Sequence, residues 1–302
     1  IPSMEEEGYD PGFASAVQTV GGVFGPIIPP SILMVLYAVA AGTSVGDMLL
    51  AGLLPGLFLG LVLIVVVVIQ CIRKGYTGRG RFHLGEVAKS FCHAFWALLA
   101  PIIILGGIYS GLVTPTEASA LCCFYCLIVG VFIYKEIKIK DICKIVYGGV
   151  KSAAGIMLIV AATQAFGWVI TRAGIPQTLA QSFTSSITNP LVFVFAVCVI
   201  LLVAGCFIDA VPALLIFAPI FCPTADAYGI NMIYFGVVMV IVLCIGLATP
   251  PVGINLYVAS SVGGQPVHKI IPHLPIPLLA IFVGTVIVIL VPEIITFLPN
   301  VL

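Results

Sequence analysis

Two short stretches hold residue types that can bind an ion inside an apolar chain: GPIIPP at 25–30 and GLATPP at 246–251. Proline has no N–H, so it cannot pair the carbonyl four residues earlier. Pro29 and Pro30 therefore free the carbonyls of Gly25 and Pro26, and Pro250 and Pro251 free those of Gly246 and Leu247. At membrane depth such carbonyls are tolerated only where they face a cavity or hold something. Oxygen ligands are what hard cations such as Na⁺ take. Glycine at 25 and 246 permits close approach, and Thr249 adds a hydroxyl beside the second break. A kink patched by neighbouring helices accounts for one such break more readily than for two alike.

Asp209 is the other residue with chemistry to offer. It lies in LLVAGCFIDAVPALLIF with no charged neighbour in sequence. An ionisable group at membrane depth is a functional candidate by default. The competing role is structural, a carboxylate bonded to N–H groups at the start of the next helix. Glu117 reads differently. TPTE at 114–117 offers Thr114 as N-cap, Pro115 at N1 and Glu117 at N3, the pattern of a capping box. The ten cysteines fall mostly in apolar runs and read as small apolar side chains, CFYC at 123–126 included. His83, His93, His268 and His273 fall in or beside polar loops and read as interfacial. MEEE at 4–7 reads as a solvated loop.

The elements that carry these residues are membrane spans. The chain has 302 residues, 61% hydrophobic and 8% charged, with a mean hydropathy of +1.26. Soluble domains carry roughly 25% charged residues. Apolar runs such as 50–72 and 276–292 recur, and a span needs about 20 apolar residues. The fold class is an all-α polytopic membrane protein. Net charge is zero with no basic patch, so nothing points to nucleic acid. The order reads as a broken helix at 11–41, then spans near 50–72, 90–111, 115–134 and 147–171. A more polar stretch at 173–189 follows, then 190–205 and 211–222, a second broken helix at 231–261 and a last span at 275–292. Arms of about 15 residues are short for crossing, at about 1.5 Å per residue. This predicts a re-entrant hairpin over 190–222 with its tip at Gly205–Ala210. This order puts every Lys and Arg except Arg172 on one face, eleven of the twelve. The positive-inside rule makes that face cytoplasmic and the C-terminus periplasmic.

The two broken helices align without a gap at an offset of 221, read off their Pro-Pro pairs. Identities include Pro2/Pro223, Gly8/Gly229, Gly25/Gly246, Pro29/Pro250, Pro30/Pro251 and Gly42/Gly263, and Asp10 pairs with Asn231. Gly and Pro determine backbone, and apolar drift does not preserve them. The first broken helix runs away from the cytoplasmic face and the second toward it, so the repeats are inverted. Paired broken helices in inverted repeats belong to secondary transporters. The division that follows is 1–49 as the second part of repeat 1, 50–146 as scaffold and connecting helices, 147–265 as repeat 2, and 266–302 as a C-terminal scaffold helix.

The stretch GYDPGFASAVQTVGGVFGPIIPPSILMVLYAVAAGTSVGDMLLAGLLPG resembles the large membrane subunit of TRAP transporters, the DctM-type family. GLVTPTEASA and FAPIFCPTADAYGINMIYFGVVMVIVLCIGLATPPVGINLYVASS resemble two further stretches of it, in the same order. The resemblance covers essentially the whole chain. It implies an elevator-type transporter in a bacterial inner membrane, with Na⁺ as coupling ion and an organic acid such as sialic acid or a C4-dicarboxylate as substrate. It implies a small membrane subunit and a periplasmic solute-binding protein as partners. Carried over by motif, it implicates Gly25 and Ile28 in one Na⁺ site, and Gly205, Gly246 and Thr249 in another. Pro26, Asp209 and Asn255 are further candidates for substrate or ion. The partner of hairpin 190–222 under the offset falls before residue 1, which leads us to expect a longer subunit with a first hairpin. A cation-coupled carrier needing no binding protein is the alternative. An intramembrane enzyme is more distant, because Asp209 is the sole deep ionisable group in this reading and paired catalytic groups are lacking.

Overall fold

The computed structural model describes residues 1–76, 84–175, 178, 181 and 187–301. Arg79, Arg81 and His83, and most of the polar stretch 173–189, lie outside them. The elements are helices: α1 (Pro2–Glu6), α2 (Pro11–Gly21), α3 (Ile32–Ala41), α4 (Val45–Arg73), α5 (Leu84–Tyr109), α6 (Pro115–Ile128), α7 (Ile142–Arg172), α8 (Pro190–Phe207), α9 (Ala210–Ala227), α10 (Met232–Ala248), α11 (Ile254–Gly263), α12 (Val267–Ile270), α13 (Pro275–Leu290) and α14 (Glu293–Val301). No strand occurs among the described residues. Six of these helices are long and apolar enough to cross a membrane. The chain is an all-α polytopic membrane protein.

The chain forms two compact units, one of Ile1–Gly78 with Ala162–Leu302, the other of Arg79–Ala161. The boundaries read from sequence at 50 and 266 do not coincide with them, because α4 and α13 pack in the unit that holds both broken helices. Glycines explain that packing. A Cβ on Gly56 of α4 would stand 2.7 Å from Ile28 Cγ1, and one on Gly52 would stand 2.8 Å from the Ile27 carbonyl oxygen. Small residues at i and i+4 let the first break bed directly onto α4. Gly284 of α13 receives Leu59 of α4 in the same way, with 2.7 Å to its Cδ2.

The smaller unit pairs α5 with α6. Thr114 and Glu117 form the expected capping box: the Thr114 N–H donates to Glu117 Oε2 at 2.8 Å, and the Glu117 N–H to Thr114 Oγ1 at 3.4 Å. Two tyrosines, one in α6 and one in the turn that follows it, bond to α5 carbonyls. Tyr125 donates to Trp96 O at 2.7 Å, and Tyr134 to His93 O at 2.6 Å.

The repeat is written in the backbone. Asp10 caps α2 at φ −60°, ψ 127°, and Asn231 caps α10 at φ −58°, ψ 124°. Asp10 Oδ1 accepts the Phe13 N–H at 2.8 Å, and Asn231 Oδ1 accepts the equivalent Tyr234 N–H at 3.1 Å. Gly8 and Gly229 both take positive φ, +86° and +69°. The two broken helices lie side by side in opposite directions. Tyr37 of α3 donates to Met232 O at the start of α10 (2.8 Å), while Gly263 at the end of α11 sits against Ser15 of α2.

Hairpin 190–222 is longer than expected. Pro219 and Pro223 do not stop its second arm, and α8 and α9 have 18 residues each, about 27 Å apiece. Arm length therefore does not distinguish a hairpin from two crossings. Packing does. The base is tied where Tyr228 donates to Ile187 O at 2.7 Å. At the other end, Gly205 meets Gly246 at the break between α10 and α11. The chain turns back at the level of that break.

Candidate functional site

At the second break, α10 ends at Ala248 and α11 begins at Ile254, leaving TPPVG between them. The residues implicated there come together. A Cβ on Gly246 would stand 2.6 Å from Gly205 Cα and 3.1 Å from Cys206 N, so only a glycine pair allows this approach. The hairpin tip is pinned to the break by the Gly253 N–H, which donates to Cys206 O at 3.1 Å. Gly253 holds φ +56°, and the carbonyl oxygens of Thr249 and Leu247 lie 2.9 and 3.3 Å from where its Cβ would be. The Gly246 carbonyl is not bare. It accepts the Thr249 N–H at 3.0 Å, and Thr249 Oγ1 donates its proton to Ile245 O at 2.8 Å. Each of these oxygens keeps a lone pair. The break thus gathers neutral oxygens, the donor set a monovalent hard cation accepts.

The first break is closed differently. After α2 one tight turn, Gly22–Phe24, leads into GPIIPP, and Phe24 O accepts both Ile27 N–H (3.0 Å) and Ile28 N–H (2.9 Å). The Pro26 carbonyl, expected to be free, accepts the Ser31 hydroxyl, and the same hydroxyl caps α3 by accepting the Met34 N–H at 3.2 Å. The repeat places Gly253 where the first break has Ile32. Gly25 is exposed, and its carbonyl receives no backbone N–H among the described residues. Ile28 is one turn away, its side chain against α4.

Asp209 is the exposed N-cap of α9. Its Oδ1 accepts the Ala210 N–H at 2.8 Å, the structural role weighed against an ionic one. Asn255 faces a different space, a cavity of about 300 Å³ between α2 and α11 whose lining includes Gln18, Gly22, Val258 and Val262. Its Nδ2 is buried, without a hydrogen-bond partner among the described residues.

The family model for the DctM component of tripartite ATP-independent periplasmic transporters matches residues 1–294. The chain belongs to the DctM family. This DctM protein is 40% identical over 300 residues to the C4-dicarboxylate TRAP transporter large permease protein of Pseudomonas aeruginosa, covering 99% of this chain and 70% of that protein. It is 36% identical over 300 residues to the sialic acid TRAP transporter large permease protein of Vibrio cholerae, with the same coverage. It is 35% identical over 292 residues to the isethionate TRAP transporter permease protein DctMQ of Oleidesulfovibrio alaskensis, covering 95% of this chain and 45% of that protein. The family is one of transporters, and this DctM chain is a multi-pass membrane permease component, not an enzyme.

Sequence reasoning missed one constellation in the DctM chain. His273, read as an interfacial histidine, stands between Asp10 Oδ1 (3.1 Å from Nε2) and Lys74 Nζ (3.2 Å from Nδ1). Lys74 also lies 4.6 Å over the Phe13 ring. Separations of 64 and 199 residues leave no local signal for it.

Proposed function

We propose that this protein is the large membrane subunit of a tripartite uptake system that couples inward Na⁺ movement to import of an organic acid. The observation that supports this reading most is the glycine contact at Gly205 and Gly246, which brings a hairpin tip against a helix break rich in neutral oxygens. The proposed ligands at this second break are the oxygens of Gly205, Gly246 and Thr249. At the first break they are those of Gly25 and Ile28, with Pro26 also near. Neutral oxygens suit a monovalent ion, since no carboxylate is placed to over-stabilise it and slow its release. Each Na⁺ moving down a tenfold gradient at 100 mV supplies about 3.7 kcal/mol. Asn255 and the cavity beside it are the proposed contact for the polar part of the substrate. Relatives named for sialic acid, C4-dicarboxylate and isethionate transport support an organic acid.

The partners proposed are a small membrane subunit and a periplasmic solute-binding protein, with the complex in a bacterial inner membrane. A fused small subunit is in keeping with the name and length of the DctMQ relative. The Lys- and Arg-rich face is assigned to the cytoplasm and the C-terminus to the periplasm. The deciding experiment reconstitutes the full-length subunit with both partners in proteoliposomes. Uptake of a panel of organic acids is measured with Na⁺ or K⁺ outside. Saturable uptake that requires Na⁺ and the binding protein is expected. Equal uptake in K⁺ overturns the coupling, and uptake without the binding protein overturns the tripartite arrangement.

A further inference from the structure

The chain Asp10–His273–Lys74 has a fixed proton arrangement. An ammonium has no acceptor, so Nδ1 of His273 must be bare and accept from Lys74 Nζ at 3.2 Å. An ionised carboxylate has no donor, so Nε2 carries the proton and donates to Asp10 Oδ1 at 3.1 Å. The imidazole in this geometry is neutral. Its three attachments come from three parts of the larger unit. Asp10 caps the first broken helix, Lys74 follows the last residue of α4, and His273 sits at the elbow before α13, where the axis bends by 54°. The elbow continues from α11, the second arm of the second broken helix, so one ring is joined to both repeats.

The surroundings hold this arrangement in place. The Asp10 N–H donates to Tyr76 OH at 3.2 Å, and the Tyr76 ring packs on Tyr9 and Phe13 at 4.7 and 5.7 Å. The Lys269 carbonyl presses on Gly12. The charged and titratable groups of this cluster are thus Asp10 and Tyr9 at the start of α2, Lys74 and Tyr76 at the end of α4, and Lys269 before the ring; Glu7 and Cys71 act on Tyr9 beside them. The Asp10 and His273 side chains are 48% and 26% exposed, so protons reach them.

We propose that His273 is a positioning residue that, when neutral, ties Lys74 at the end of α4 to the start of the first broken helix, and gives up the Lys74 contact when protonated, loosening the end of α4. A proton on Nδ1 turns that nitrogen into a donor facing an ammonium, and the Lys74 contact is lost. The Asp10 contact becomes a full ion pair and holds. Protonation exchanges one tie for another rather than undoing the cluster. Histidine is the side chain whose charge changes in the physiological range, so the end of α4 responds to pH on this face.

The test uses the full-length protein with a spin label at Arg73→Cys, on the exposed end of α4, in a background lacking other reactive cysteines. This readout needs no transport, so it stands or falls independently of the Na⁺-coupled reading. The mobile fraction of the label is expected to rise from pH 8 to pH 5, the range in which histidine changes charge. In His273→Gln, which accepts and donates without titrating, the rise disappears. In Lys74→Met, which has no donor for Nδ1, the label is already mobile at pH 8. A pH response unchanged by His273→Gln overturns the proposal, as does a label equally immobile at both pH values in the parent protein. Uptake measured with both faces at one pH then reads the consequence for transport. Its pH profile is expected to flatten in His273→Gln while uptake at pH 8 stays near that of the parent.

Discussion

Gly205 and Gly246 meet backbone to backbone: a Cβ on Gly205 would stand 3.1 Å from Gly246 Cα and 2.8 Å from the Leu243 carbonyl oxygen. The contact sets how deeply the hairpin tip enters the second break, and hence which carbonyls share one space. Nothing in it is flexible, because the nearest atoms on both sides are backbone.

Gly246→Ala therefore has no side chain to push aside. Overpacking of this kind costs about 1–3 kcal/mol, and here it moves the tip away from the break. The expected outcome is a lower Tm and loss of Na⁺-dependent uptake. Gly60→Ala, in α4 with nothing within 4 Å of its Cβ position, serves as the control and is expected to leave uptake unchanged and Tm level or slightly raised. Equal behaviour of the two variants means the glycine contact does not position the site.

Thr249→Val removes an oxygen while keeping shape. The Thr249 hydroxyl already donates to Ile245 O at 2.8 Å, so its lone pairs are what remain for an ion. Loss of one such ligand is worth about 1–3 kcal/mol, by analogy with a charge-assisted bond, or roughly 5–150-fold in Na⁺ affinity. Uptake is expected to need a correspondingly higher Na⁺ concentration for half-maximal rate, with membrane expression near normal. An unchanged Na⁺ dependence removes Thr249 from the ligand set.

The sequence made the breaks and their symmetry legible because proline and glycine constrain the chain locally. The offset of 221 carries through to matching caps at Asp10 and Asn231 and matching positive φ at Gly8 and Gly229. What proline removes is one donor, however, and other donors replace it. Ser31 reaches back to Pro26 O, and the Thr249 N–H tightens onto Gly246 O. Those replacements depend on how the chain turns after the break, which proline spacing does not specify. The bed of the first break on Gly52 and Gly56, and the position of His273 between Asp10 and Lys74, are tertiary contacts with no periodic signal. The second hairpin arm runs on to Ala227, past the expected end at 222 and through Pro223, because prolines in a buried helix are accommodated by its neighbours.

Asp209 separates a capping role from an ionic one. As the N-cap of α9 it accepts the Ala210 N–H, and asparagine caps as well as aspartate, whereas alanine loses about 0.5–2 kcal/mol. Asp209→Asn is expected to keep both Tm and Na⁺ dependence, and Asp209→Ala to lower Tm. If Asp209→Asn raises the Na⁺ requirement while Tm holds, the charge itself takes part and Asp209 joins the ligand set.

We propose that the compact unit of 1–78 and 162–302, which holds both breaks, moves as one block. Ile28 seats on Gly56 and Leu59 on Gly284 with no room for a methyl group, so α4 cannot slide past the first break, nor α13 past α4, without collision. Packed interfaces of this kind move as blocks. Labels at Leu57 of α4 and Val203 of α8, both exposed, are expected to keep one distance with and without Na⁺ and substrate. A label at Val203 paired with one at Phe124 of α6, also exposed, is expected to report two. Pulsed EPR in nanodiscs reads both pairs on the same preparation. A change between Leu57 and Val203 makes the mobile body smaller than this unit. A fixed distance between Val203 and Phe124 in every ligand condition excludes block movement.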